Sequence, residues 1–255
     1  MNQSKITFHN SKTSDVEIIY CKDSNISYPE HNHISIYTIG FVLDGHIVLK
    51  RKKEQITCEA GDVFVIPPYE PHCIQAQDNY TMLTVCLNPE FLTEHNADDT
   101  LKILQERIPD IVQDSLMLEG LILALSDAVH NLYSSSLDCP FSVDKPIDSA
   151  KDILENLPED DLPIDQLSKN IYISKYHLIR TFKEQIGLTP HQFQMQNRVR
   201  KAQHLLKAGR TITEVALATG FCDQSHFNKW FKKIVGLTPS EYLCACKDAP
   251  NENVR

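Results

Sequence analysis

No stretch of this 255-residue chain approaches the roughly 18 consecutive apolar residues of a membrane helix, which argues against a membrane partner. No Ser-His-Asp set and no Walker pattern occurs, so the usual sequence marks of nucleophilic hydrolysis and phosphoryl transfer are missing. The opening residues, MNQSKITFHN, lack the charged-then-apolar order of a signal peptide. Eight cysteines, at positions 21, 58, 73, 86, 139, 222, 244 and 246, follow no disulfide framework. Without an export signal they are expected to be reduced thiols in a cytoplasmic protein.

A positive overall charge is lacking too, since the chain carries −9. That total hides an asymmetry. Residues 1–162 hold 11 Lys and Arg against 27 Asp and Glu, a net of −16. Residues 163–243 hold 12 against 5, a net of +7, and the last twelve are neutral. A basic end on an acidic chain is the electrostatic footprint of nucleic-acid binding.

What is present is a repeat. The run His177-Leu178-Ile179-Arg180-Thr181-Phe182-Lys183, continuing to Gly187-Leu188-Thr189-Pro190, recurs 49 residues later. The second copy is His226-Phe227-Asn228-Lys229-Trp230-Phe231-Lys232, continuing to Gly236-Leu237-Thr238-Pro239. Two copies are too few for a solenoid. They read as one small helical unit used twice, each a basic helix ended by Gly and stopped by Pro.

Each copy is preceded by a helix and a sharp turn. In the second unit Thr211 and Glu214 have capping-box spacing, Val215 and Ala216 face the core, Gly220 makes the turn, and Asp223 caps a helix from about Gln224 to Val235. Phe227, Trp230, Phe231 and Ile234 form its buried stripe, while Gln224, Ser225, Asn228 and Lys229 face away. The first unit repeats this with a turn one residue shorter. Ser174 caps a helix from about Lys175 to Ile186, with Leu178, Phe182 and Ile186 buried and Lys175, Tyr176, Ile179 and Arg180 outward. Tyr172 stands where the second unit has Gly220, so this turn is expected to close differently. Between the units, His191 to about Lys207 reads as one helix of roughly 25 Å. It can hold two reading helices about 34 Å apart, one turn of DNA.

Residues 147–243 thereby resemble the DNA-binding domain of the AraC/XylS family of bacterial transcription regulators. The resemblance rests on Ile212-x-Glu214-Val215-Ala216, Gly220-Phe221-x-Asp223-x-Ser225-x-Phe227, Phe231-Lys232 and Gly236-x-Thr238-Pro239-x-x-Tyr242. Leu243 departs from it, where the family very often has Arg. The resemblance implies that the outward residues of both helices read base edges. Arg180 can pair with guanine and Asn228 with adenine, while Lys183, Lys232 and Lys233 meet phosphates. It further implies double-stranded promoter DNA, RNA polymerase and a small-molecule effector as partners, with activation one mode of action.

Residues 1–98 carry many short strands. Ile34 to Leu43 is strand-like, Asp44-Gly45 marks a hairpin turn into His46 to Lys50, and Val63 to Ile66 and Tyr80 to Leu87 follow. An antiparallel sandwich or small barrel is expected. His31-Asn32-His33, Gly45, Gly61-Asp62, Pro67-Pro68 and His72 resemble the two short motifs of a cupin barrel. In metal-binding cupins a Glu joins such histidines, but Tyr37 and Thr38 occupy that region here. The expected effector-binding residues are His31, His33, Tyr37, His46 and His72. An organic-ligand pocket is the favoured reading. The alternative is a metal-responsive regulator in which His31, His33 and His72 hold a divalent transition metal, helped by Cys58 or Cys73 if these point inward. As ordinary imidazoles they would release metal below about pH 6. A cupin-type enzyme is a minor alternative that the missing carboxylate argues against, so the protein is read as no enzyme.

The expected architecture is α+β in two domains. A cupin-like antiparallel β-barrel (1–98) precedes a helical segment (99–133). A linker (134–146), the double helix-turn-helix domain (147–243) and a tail (244–255) follow. The stripe Leu118, Leu121, Ile122, Leu125, Val129 and Leu132 packs on its own barrel or forms the seam of a homodimer.

Overall fold

The computed structural model describes residues 5–10, 16–33, 36–51, 54–112, 114–134, 143–156, 158–159 and 162–247. The chain divides into two compact units, 1–139 and 140–246. The segment read as a linker lies mostly outside the described residues. Its last two, Lys145 and Pro146, instead open a helix. The tail beyond residue 247 also lies outside the described residues. Among them, no helix is long and apolar enough to cross a membrane.

Among the described residues the first unit has nine strands: β1 (Lys5–Asn10), β2 (Val16–Ser24), β3 (Tyr28–His31), β4 (Tyr37–Asp44), β5 (His46–Arg51), β6 (Gln55–Glu59), β7 (Val63–Ile66), β8 (His72–Ala76) and β9 (Tyr80–Leu87). Three helices follow: α1 (Pro89–Glu94), α2 (Ala97–Arg107) and α3 (Ser115–Ser134). The strands do not close into a barrel. They form two antiparallel sheets, β1-β2-β9-β4-β7 and β3-β8-β5-β6, a cupin-like sandwich.

This arrangement corrects the expected hairpin at Asp44-Gly45. β4 and β5 do not pair; the chain crosses there from one sheet to the other. Gly45 makes the crossing in a left-handed conformation (φ 73°), and a Cβ on it would lie 2.5 Å from the Asn79 carbonyl oxygen. Local pattern shows that a turn is there. It does not say which sheet the returning strand joins.

Strand alternation sorts the five-stranded sheet into two faces. Val16 and Ile18 on β2, Tyr37, Ile39 and Phe41 on β4, and Leu83, Val85 and Leu87 on β9 share one buried cluster with Leu104 of α2 and Leu121, Leu125, Val129 and Leu132 of α3. Most of the α3 stripe is therefore used up inside its own chain, and its reading as a dimer seam is corrected. What α3 leaves outside is a different face, with Leu116 and Leu123 exposed.

The second unit is all-helical: α4 (Lys145–Asn156), α5 (Ile164–Asn170), α6 (Lys175–Ile186), α7 (Pro190–Lys207), α8 (Ile212–Ala218), α9 (Gln224–Val235) and α10 (Pro239–Lys247). Side chains cap the helix starts. Thr189 with Gln192 and Thr211 with Glu214 form reciprocal capping boxes, and Thr238 with Glu241 exchanges the same bonds. Ser174 and Asp223 cap α6 and α9 by accepting from the His177 and His226 amides. Gly187 and Gly236, both left-handed, end those two helices. Aromatic rings knit the interior: Phe182 meets Phe193, and Phe221, Phe227, Phe231 and Tyr242 form a chain of contacts at 5.2–5.4 Å.

Candidate nucleic-acid interface and effector site

Helices α6 and α9 are each the second helix of a helix-turn-helix pair, α5–α6 and α8–α9. The capped end and the buried stripe together decide which residues face water. On α6, Leu178, Phe182 and Ile186 are buried, which leaves Tyr176 and Arg180 exposed and Ile179 half-buried. On α9, Phe227 and Phe231 are buried, which leaves Gln224, Ser225, Lys229, Lys232 and Lys233 exposed. At 100° per residue, Lys175, Tyr176, Ile179, Arg180 and Lys183 span one face, and Gln224, Ser225, Asn228, Lys229 and Lys232 span the matching one.

Some of these side chains are already engaged. Lys175 pairs with Asp165 at 3.2 Å. Gln224 accepts a hydrogen bond from Thr213 Oγ1 at 3.1 Å. Lys233 sits over the Trp230 ring, 4.6 Å from its centroid. Asn228 is half-buried, and its Oδ1 is enclosed without a hydrogen-bond partner. Presenting both amide atoms to an adenine requires that side chain to turn outward. Trp230 and Ile234, expected in the buried stripe, are only half-buried.

The two turns correct one expectation. Tyr172 takes φ 58° and Gly220 φ 76°, both left-handed. Tyr172 N–H donates to Lys169 O and Ile173 N–H to Ser168 O; Gly220 N–H donates to Leu217 O and Phe221 N–H to Ala216 O. The turns close alike. The difference lies in what stands over them. A Cβ at Gly220 would come 2.3 Å from the Glu159 carbonyl oxygen, whereas Tyr172 is 94% exposed. Only glycine fits the covered position.

Sequence reasoning missed Arg198 of α7. It is buried, and its guanidinium donates to Pro158 O and Gly220 O, both at 2.6 Å. The connecting helix thus holds the second turn directly. In the sequence Arg198 stands among Gln196, Asn197, Arg200 and Lys201, and nothing there marks it as buried.

The sheets of the first unit bring together His31, His33 and His72. His31 of β3 pairs in register with His72 of β8, and one ring nitrogen from each of the three lies within 4.8 Å of the others. His31 Nδ1–H donates to Pro29 O at 2.7 Å, and His72 Nδ1–H donates to Glu70 O at 2.9 Å. With Nδ1 carrying the proton, each Nε2 keeps its lone pair. Burial pushes His72 down to about 3, with His31 adding to the effect, and burial lowers His31 as well. The expected release of metal below about pH 6 assumed ordinary imidazoles; His72 instead stays neutral down to about 3, and His31 is shifted in the same direction.

Two expected effector residues fall elsewhere. Tyr37 lies on the face of β4 that packs against the helices, so it belongs to the core; its neighbour Thr38 lies on the opposite face. His46 lies at the far end of β5 from Arg51, the residue registered with His72. Five residues of strand separate them, roughly 17 Å, and alternation turns His46 to the other face. Alternation also turns Cys73 away from His72, and neither Cys58 nor Cys73 joins the histidine cluster. Among the described residues all seven cysteines are free thiols.

Comparison with known proteins agrees with this division. Residues 14–138 match the family described as AraC-like ligand binding domain, and residues 167–244 match a helix-turn-helix domain family. The chain is similar to the uncharacterized HTH-type transcriptional regulator YbfI of Bacillus subtilis, 32% identical over 227 residues, covering 78% of this chain and 81% of that one. It is also similar to the arabinose operon regulatory protein of Escherichia coli, 22% identical over 248 residues, covering 85% and 83%. In fold it resembles ToxT of Vibrio cholerae, with a TM-score of 0.61 at 16% identity over 92% of this chain and 99% of that one. One ToxT structure, with a TM-score of 0.57, has an unsaturated fatty acid bound.

Proposed function

The chain belongs to the AraC-type family of transcription regulators, with an N-terminal ligand-binding domain and a C-terminal helix-turn-helix DNA-binding domain, and from that premise we propose that it reads two successive major-groove segments with α6 and α9. The observation that carries this reading is the matched pair of capped, basic helices, each with its apolar stripe buried and the opposite face in solvent. Tyr176, Ile179, Arg180, Gln224, Ser225, Asn228 and Lys229 face base edges, with Arg180 suited to a guanine. Lys175, Lys183, Lys232 and Lys233 meet phosphates. Each base contact is worth about 1–3 kcal/mol. Arg180→Glu and Lys229→Glu should therefore each abolish specific binding while leaving thermal unfolding unchanged. The test uses a duplex selected by the parent protein from a random pool. Undiminished binding by either variant rejects the reading face.

The effector acts at His31, His33 and His72, and RNA polymerase is the partner through which the DNA-bound protein acts, in the cytoplasm. Two neutral rings that offer lone pairs do not attract an anionic group, so an organic effector would have to bring O–H or N–H donors to them. ToxT's bound fatty acid therefore offers no direct template for this cluster.

A specific observation favours the metal reading over the organic one. Metal-binding histidines hand their second ring proton to a carbonyl or carboxylate, which fixes the free nitrogen toward the ion. His31 and His72 are held in that way by Pro29 O and Glu70 O. The donor set suits an imidazole-preferring ion such as Zn²⁺. Ligation at about 2.0–2.1 Å sets tetrahedral ligand nitrogens about 3.4 Å apart, so the three nitrogens, now within 4.8 Å of one another, must draw closer to hold an ion. A bound ion would supply positive charge and a cross-link between β3, the loop after it, and β8. Stoichiometric metal in untagged protein, absent after His72→Asn, is the expected result. Metal-free protein with an organic ligand in its place returns the site to the organic reading.

A further inference from the structure

The two helix-turn-helix turns correspond residue for residue in their hydrogen bonds and caps except for one insertion. Tyr172 matches Gly220 and Ile173 matches Phe221 by their hydrogen bonds, and Ser174 matches Asp223 as the cap. The extra residue of the second turn is Cys222, which is exposed.

Cys222 does not stand alone. Trp230 Nε1–H donates to His226 Nε2 at 3.0 Å. An indole N–H can only donate, so the neutral His226 ring carries its proton on Nδ1. That proton points at Cys222 Sγ, 3.3 Å away. The thiol in turn donates to Asp223 Oδ2 at 3.4 Å, while Asp223 Oδ1 accepts the His226 amide at 2.7 Å and caps α9. The hydrogen bonds run in one direction, from indole to imidazole to sulfur to the capping carboxylate. The exposed sulfur thus has a fixed Nδ1–H donor aimed at it on one side and a carboxylate acceptor on the other. That carboxylate accepts well from an S–OH.

We propose that Cys222 is a modification site for hydroperoxides, and that its oxidation uncaps the second reading helix. The sulfur attacks the terminal peroxide oxygen, the S–O bond forms as the O–O bond breaks, and the thiol proton leaves with the departing oxygen, as water from hydrogen peroxide or as an alcohol from an organic hydroperoxide. Sulfur is oxidised by two electrons to the sulfenic acid, and the peroxide is reduced. The new S–OH donates to Asp223 more strongly than S–H did. It also places an added oxygen between sulfur and carboxylate, drawing Asp223 off the His226 amide. Loss of such a cap weakens the first helical turn, which carries Gln224 and Ser225, and DNA affinity should fall roughly five- to tenfold. Ser174 caps α6 with no sulfur beside it, so the first unit is unaffected.

The coupling to DNA rests on α9 as a reading helix; the chemistry at sulfur does not. Reduced full-length protein is treated with hydrogen peroxide and dimedone, and the adduct is located by peptide mass. The expected adduct lies on Cys222 ahead of Cys244, the other exposed thiol among the described residues. Anisotropy with a duplex selected by the reduced protein should show the five- to tenfold loss, reversed by a thiol reductant. Cys222→Ser should bind as the reduced parent does and ignore peroxide. An adduct on other cysteines only, or peroxide sensitivity that survives in Cys222→Ser, overturns the site. A Cys222 adduct with unchanged DNA binding overturns the uncapping, while the Arg180 and Lys229 variants separately decide whether this face reads DNA.

Discussion

His72 is the residue whose environment most changes its chemistry. Burial holds it neutral down to about 3 in the folded chain, against about 6.5 when unfolded. The unfolded state therefore binds more protons over that interval. Stability is fully present above about pH 6.5 and is lost as pH falls toward 3, with a slope of at most about 1.4 kcal/mol per pH unit for this one group. Thermal unfolding of the first unit should move down between pH 6.5 and 5 in the parent. His72→Gln should flatten the trend, and an unchanged slope would mean the ring is not held neutral. A second residue-scale contrast comes from the two left-handed turn positions. Gly220→Ala meets both a disfavoured φ and the Glu159 carbonyl oxygen. It should cost more than about 2 kcal/mol by denaturant titration. Tyr172→Gly, in open solvent, should instead stabilise by about 0.5–1 kcal/mol.

At the scale of elements, α3 shows how one helix serves two surfaces. Leu125 is fully buried against the five-stranded sheet, and Leu123 is 68% exposed. Leu125→Ala should destabilise the first unit by about 2–5 kcal/mol. Leu123→Asp should leave its unfolding within about 0.5 kcal/mol of the parent. A variant that unfolds readily would place Leu123 in the core instead. Helix existence and type were legible here from the spacing of Leu101, Leu104, Leu121, Leu125 and Val129. What the stripe packs against was not, because an apolar face reads the same whether its partner is a sheet or another chain.

For the whole molecule, the chain divides into two units at residues 139 and 140, whereas its charge turns basic only after residue 162, inside the second unit beyond the acidic α4. Helix α4 buries Ile147, Ala150 and Leu154, and Asp144 N–H donates to Gln185 of α6. A fragment of residues 140–255 should therefore fold and bind DNA by itself, whereas one starting at 147 truncates that first helix. Its affinity should fall steeply with salt, since phosphate neutralisation supplies the sequence-independent part. A folded 140–255 fragment whose binding is absent, or indifferent to salt, would reject the second unit as an independent DNA-binding body.

The amino-acid sequence by itself determined the second unit almost completely. Caps, glycine stops, buried stripes and basic faces are local, and those of α6 recur in α9 49 residues on. It also singled out His31, His33 and His72. Tertiary structure alone decided that β4 and β5 part into different sheets, that Tyr37 faces the helices, and that His46 lies at the far end of its strand. The physical reason is that a strand's pattern specifies two faces without saying which is inward, and strand partners are chosen by contacts distant in sequence. The tautomers of His31 and His72, the Arg198 clamp, and the hydrogen-bond chain ending at Cys222 depend on angstrom-scale placement of carbonyls and rings, which residue spacing does not encode.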